Sequence, residues 1–230
     1  MITSNVPSRT AAALEVLAVA VAGLASHAVL RHLGGGIAVG AISVIVTLVL
    51  ASWLLRRRGV SWSDLGFRRP PQLGAAAAWA LGLFLADMLL VPPLMSVLAG
   101  VLGLPAQNLE AFANLRGDLT RYLVLLIPIS WGTAAFGEEL IYRGFLAHRL
   151  TAAFGGTRAA EIVATFGQAA LFALGHGYLG PRGMLNAGAL GLVAGFGYRW
   201  NGRNLWPLFI AHGLVDSAGI TALYLGVAHS

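Results

Sequence analysis

The chain has 230 residues, of which 57% are hydrophobic and only 10% charged, with a formal net charge of +6. A soluble domain usually carries about 25% charged residues, so a water-facing globule is excluded. The absence of cysteine also removes disulfides, thiolate metal sites and a Cys nucleophile. All 15 basic residues are Arg and lie mostly between apolar runs. There they set topology and meet anionic headgroups, so membrane lipid is the expected partner and nucleic acid is not.

Apolar runs long enough to cross a bilayer, about 20 residues, recur from end to end. They predict an all-α, polytopic transmembrane bundle forming one membrane-embedded domain over residues 1–230. In chain order the predicted segments are 10–30, 35–55, 73–102, 122–147, 159–179, 184–198 and 205–227. Ala25-Ser26-His27-Ala28 in the first resembles a signal cleavage site, but the apolar run continues to Leu30, which favours a retained helix. The third is long and interrupted by Pro92-Pro93. It is either one kinked helix or a helix plus a short re-entrant piece, so seven segments are expected, eight if it counts twice. In the sixth, Gly183, Gly188, Gly191, Gly195 and Gly197 would let neighbouring helices approach closely.

Seven spans place the N-terminus and the second, fourth and sixth connections on one side. That side collects Arg9, Arg56, Arg57, Arg58, Arg68, Arg69, Arg149, Arg158, Arg199 and Arg203. The other side has Arg31, Arg116, Arg121 and Arg182, with Arg143 left inside a helix. The asymmetry predicts a cytoplasmic N-terminus and an external C-terminus. The Ala-, Gly-, Leu- and Arg-rich composition points to a bacterial inner membrane.

Ionisable side chains inside a bilayer are costly and are functional candidates by default. In Phe136-Gly137-Glu138-Glu139-Leu140-Ile141-Tyr142-Arg143, Glu139 and Arg143 are one turn apart on one helix face in the favourable order. Glu138 is rotated about 100° away and is left free to bind a proton or a water. Phe172 and His176 share a face in the fifth segment, and His212 and Asp216 share one in the last. Glu15, His27 and Asp87 stand alone in apolar runs, where helix–helix hydrogen bonding is the simpler use.

Glu138-Glu139-x-x-x-Arg143, Phe172-x-x-x-His176 and His212-x-x-x-Asp216, in this order, resemble the three motifs of the CAAX-protease and bacteriocin-processing (CPBP, or Abi) intramembrane endopeptidases. Asp64-Leu65-Gly66-Phe67-Arg68-Arg69-Pro70 also resembles the loop preceding their core, so the likeness covers about 61–230. The resemblance implies a peptide hydrolase in which Glu138 and His176 activate a water. Glu139 and Arg143 would hold Glu138, and His212 would contribute to the oxyanion site, with no covalent intermediate and no metal. The family's third motif usually ends in Asn, which donates a hydrogen bond as an ionised Asp cannot. Asp216 is therefore either protonated or an orienter of His212. The expected substrate is a peptide or membrane-protein tail presented from the cytoplasm.

Two other readings remain open on the residues alone. Glu138, His176, His212 and Asp216 could ligate zinc, as in a metalloendopeptidase, although no His-Glu-x-x-His helix is present. Alternatively the chain could be a non-catalytic scaffold or bacteriocin-immunity protein.

Overall fold

A computed structural model describes residues 7–227, which contain helices and turns and no strand. The helices are α1 (Arg9–His32), α2 (Val39–Arg57), α3 (Leu73–Leu89), α4 (Val91–Val101), α5 (Leu119–Ala153), α6 (Arg158–Gly175), α7 (Gly180–Trp200) and α8 (Trp206–Leu225). Each predicted segment coincides with one of these helices, except that the third comprises α3 and α4. These two form one 29-residue apolar stretch, interrupted at Leu90 just before the two prolines, which lack the N–H needed to continue a regular helix.

The exposed surface is apolar. Leu14, Leu17 and Val21 of α1, Ile45 and Val49 of α2, Leu81 and Leu85 of α3, and Leu94 and Val97 of α4 all stand exposed. A contiguous apolar surface of this extent is not tolerated in water and marks the face that meets lipid. The inward stripes mix apolar with small and polar residues. Along α2 the buried positions are Val39, Ser43, Thr47, Ala51 and Leu55. The Ser43 and Thr47 hydroxyls donate to carbonyls one turn back, at 2.8 and 2.7 Å, so that burial leaves neither unsatisfied.

Five helical stretches are long and apolar enough to span a membrane, and the α6–α7 pair, inclined at 57°, adds a sixth if counted as one span. That pair packs as an antiparallel hairpin. A Cβ placed on Gly188 would meet Ala173, one on Gly191 would meet Ala169, and one on Gly195 would meet Thr165 and Gln168. As one position advances the other recedes, which only antiparallel helices produce. The glycines allow this close approach.

The predicted regular α-helix of the fourth segment is not what forms. Over Leu125–Glu138 and again over Leu140–Leu146 the backbone takes the wider π-helical turn with i→i+5 bonds. Pro128 lies inside this stretch and cannot close the i→i−4 bond. Wide turns of this kind concentrate at functional sites. Here the first ends on Glu138, and Glu139 stands at the junction between the two.

At the arginine-rich end, Glu15 makes the helix–helix contact expected of it. Its carboxylate pairs with Arg58 Nε at 2.5 Å and with the fully buried Arg149 Nε at 2.6 Å, tying α1 to the end of α2 and to α5. The loop over 61–70 is clamped onto the α7–α8 turn. Tyr198 donates to the Leu65 carbonyl at 2.8 Å, Leu205 N–H to the Gly66 carbonyl at 3.1 Å, and Asn204 to the Arg68 carbonyl at 2.9 Å. Gly66 is required here, because its φ is 96° and an added Cβ would strike the Arg203 carbonyl. Asp64 accepts from the Ser61 hydroxyl and N–H, and these bonds hold its carboxyl below the usual range.

Candidate active site

The groups that motif spacing singles out come together. Glu138, Glu139, Arg143, Phe172, His176, His212 and Asp216 all line one cavity of about 510 Å³ between α3, α5, α6, α7 and α8. A second chamber of about 670 Å³, bounded by α1, α2 and α5, shares Glu138, His176 and Tyr178 with the first. Gly40, Val44, Phe112, Leu125 and Ile129 line both as well, so the two chambers share a wall in which Glu138 and His176 stand.

Glu139 is the hub. Its Oε1 accepts from Arg143 Nη1 at 2.7 Å and from His212 Nδ1 at 2.9 Å, and both Glu139 and Arg143 are 1% exposed. Only the first of these bonds follows from spacing along a helix; the second joins α5 to α8. Arg143 is held in turn by the Phe172 ring, 4.6 Å beneath its guanidinium, and by the Gly191 carbonyl at 3.5 Å. Gln168, fully buried, donates to the same carbonyl at 2.8 Å. Three helices are thus cross-linked behind the site.

A carboxylate only accepts, so the Glu139 contact places a proton on His212 Nδ1 and turns Nε2 into the cavity. There Nε2 lies 3.9 Å from Glu138 Oε2 and 3.7 Å from Asp216 Oδ1. At that distance Asp216 makes no hydrogen bond to the imidazole. The orienting partner of His212 is Glu139. Glu138 Oε2 is buried and has no hydrogen-bond partner among the described residues, which leaves it open to a water or a substrate.

His176 reaches the cavity by a different route from a straight fifth helix. Continued to residue 179, such a helix would carry His176 several ångströms from Glu138. Instead α6 stops at Gly175, His176 caps it, and the chain turns through Gly177–Leu179 before Gly180 and Pro181 begin α7. His176 Nδ1 bonds the Phe172 carbonyl at 2.9 Å. A carbonyl only accepts, so Nδ1 carries the proton and Nε2 keeps its lone pair. The ring is further located by Phe172, at 4.5 Å between centroids, and by stacking on Tyr178 at 6.0 Å. Tyr178 also stacks on His27 of α1 at 5.8 Å, so His27 borders the second chamber and is more than a helix-packing residue.

Spacing missed Asp87, Ser130 and Asn186, which line the same cavity. Asp87 carried a signal in its charge inside an apolar run, but nothing in the sequence pointed it toward the site. Among the described residues no three His, Asp or Glu side chains are grouped to hold a metal ion.

Residues 120–218 match the sequence family described as type II CAAX prenyl endopeptidase, Rce1-like. The matched segment contains all three motifs and bears out the resemblance to the CAAX-protease family. No curated protein and no solved structure matches the chain.

Proposed function

We propose, on the premise that residues 120–218 carry the core of an Rce1-like CAAX endopeptidase, that this chain hydrolyses a peptide bond of a membrane-associated substrate with a water activated by Glu138 and His176. The observation that carries the reading is the meeting of Glu138, His176 and His212 around one cavity. Water lies between the unpartnered Glu138 carboxylate and the His176 Nε2 lone pair. Glu138 takes its proton as the oxygen attacks the scissile carbonyl. His212, held through Nδ1 by Glu139, acts as an imidazolium, and its Nε2–H donates to the oxyanion as it forms. Collapse of the tetrahedral intermediate breaks the C–N bond, and the proton on Glu138 passes to the leaving amine; the new carboxylic acid then gives up its remaining water proton, so the products are one carboxylate and one ammonium. Glu139 and Arg143 act on His212 and are positioning residues.

Asp216 stands where the family usually has Asn and cannot donate to an oxyanion while ionised. A peptidase assay on the purified protein in lipid vesicles tests the chemistry. Hydrolysis is expected to persist in chelator, and the Asp216→Asn variant to match or exceed the parent rate. Loss in chelator with recovery on added zinc would replace this mechanism with the metalloendopeptidase one.

Sidedness belongs to the same proposal. With α6 and α7 each crossing the membrane, seven spans and the arginine asymmetry put the N-terminus in the cytoplasm of a bacterial cell. Arg31, Glu110 and Arg121 line the larger chamber and belong to the opposite end. Substrate then enters from the non-cytoplasmic side, not from the cytoplasm. The chain has no cysteine, so single Ser63→Cys and Ala106→Cys variants report cleanly. A membrane-impermeant maleimide added to intact cells is expected to label the Ala106→Cys variant alone. Labelling of the Ser63→Cys variant alone would reverse the orientation.

A further inference from the structure

We propose that Asp87 is the anchor for a cationic group of the substrate, which makes a positively charged side chain or free amine beside the scissile bond the specificity determinant. The inference rests on the endopeptidase reading of the same cavity. Asp87 comes from α3, outside the matched segment. It is 8% exposed, lines the smaller chamber, and its Oδ1 has no hydrogen-bond partner among the described residues.

The charges of that chamber explain why such a residue would be kept. Four carboxylates line it, on Asp87, Glu138, Glu139 and Asp216, and they face Arg143, His176 and His212. Even with both histidines charged, negative groups are in excess. Arg143 is committed to Glu139, and so is His212 Nδ1. Asp216 is the carboxylate 3.7 Å from His212 Nε2, and Glu138 is the proposed base. Asp87 is then the carboxylate with neither a partner among the described residues nor a role in the chemistry. A buried carboxylate with no counter-charge is costly, and a guanidinium or ammonium brought in by the substrate satisfies both its charge and its open oxygen. Gln107 and Asn186, which also line the chamber and are joined by Asn186 Nδ2 donating to Gln107 Oε1 at 3.5 Å, add amide oxygens that can accept remaining donors of such a cation.

The test uses three quenched-fluorescence peptide sets in vesicles containing the full chain. One set is N-acetylated with Arg at each position flanking the bond, one is N-acetylated with neutral citrulline there, and one carries citrulline and a free N-terminus. Affinities are read in the Glu138→Gln background, where cleavage does not interfere, and kcat/KM in the parent. The Arg peptide, or the free-amine peptide if the N-terminus is the cation, is expected to exceed its neutral counterpart at least tenfold in both readouts. Asp87→Asn is expected to bring that ratio within twofold, through KM and not kcat, and Asp87→Glu to restore part of it. Because the ratio is taken within each variant, general damage to the fold cancels. A parent ratio near one, a ratio that survives Asp87→Asn, or binding of no peptide overturns the anchor. Asp87-dependent selectivity in binding without cleavage by the parent would instead sink the endopeptidase reading and leave the anchor standing.

Discussion

Glu138→Gln is expected to lower peptidase turnover by about 10²–10⁴-fold, the range that a positioned general base supplies, while the protein folds and inserts as before. Gln has the same shape and can still bind a water, but it cannot take the proton. Glu138 is an unusually clean position for this experiment because its buried Oε2 bonds to nothing among the described residues. The substitution therefore breaks no hydrogen bond and only the 3.9 Å charge contact with His212, and the unfolding temperature in detergent should change little. The measurement is kcat on a cleaved peptide beside a thermal melt of the same preparation. Retention of full activity would remove Glu138 from the chemistry. A Glu138→Ala variant that keeps its biological effect would favour the scaffold or immunity reading.

Arg143→Met is expected to cost about 3–5 kcal/mol, because it leaves a buried carboxylate without its counter-charge. Glu139 and Arg143 are each 1% exposed, so water cannot compensate for the missing partner. The double variant Glu139→Leu/Arg143→Met removes both charges and should recover most of the stability, since well-packed apolar groups often replace a buried ion pair without loss. It should not recover activity. Glu139 also holds His212 Nδ1 at 2.9 Å, and without that acceptor the imidazole is free to turn its Nε2 away from the oxyanion. A loss of about 10²–10³-fold, the worth of one oxyanion donor, is expected in kcat. Denaturation in detergent separates the two effects from the peptidase assay. Recovery of both stability and turnover in the double variant would show that the pair serves packing alone.

These two experiments differ in how far sequence reasoning reaches. The Glu139–Arg143 pair is legible because both residues lie four apart on one helix, and it survives even the change from α to π winding. The membrane-embedded, all-helical character is legible for a similar reason, since run length and lack of charge are properties of contiguous sequence. Individual helix ends were less legible. Gly175 and Gly177 gave little warning that α6 would stop and deliver His176 to the cavity from a turn, and Pro128 alone did not announce a wide-turned stretch. Asp87 shows the same limit from the other direction, for its oddity was visible while its destination was not.

The solvent the chain lives in, the helical class, and the side chains that share a face within one helix are therefore all written locally. All of these follow from periodicity and composition over neighbouring residues. Tertiary packing alone brings Glu139 to His212 across 73 residues of chain and lines one cavity with Glu138, His176 and Asp87. Contacts between helices depend on crossing angles, on glycine faces that allow close approach, and on where a helix breaks. Those are outcomes of packing many segments at once, and no local pattern encodes them.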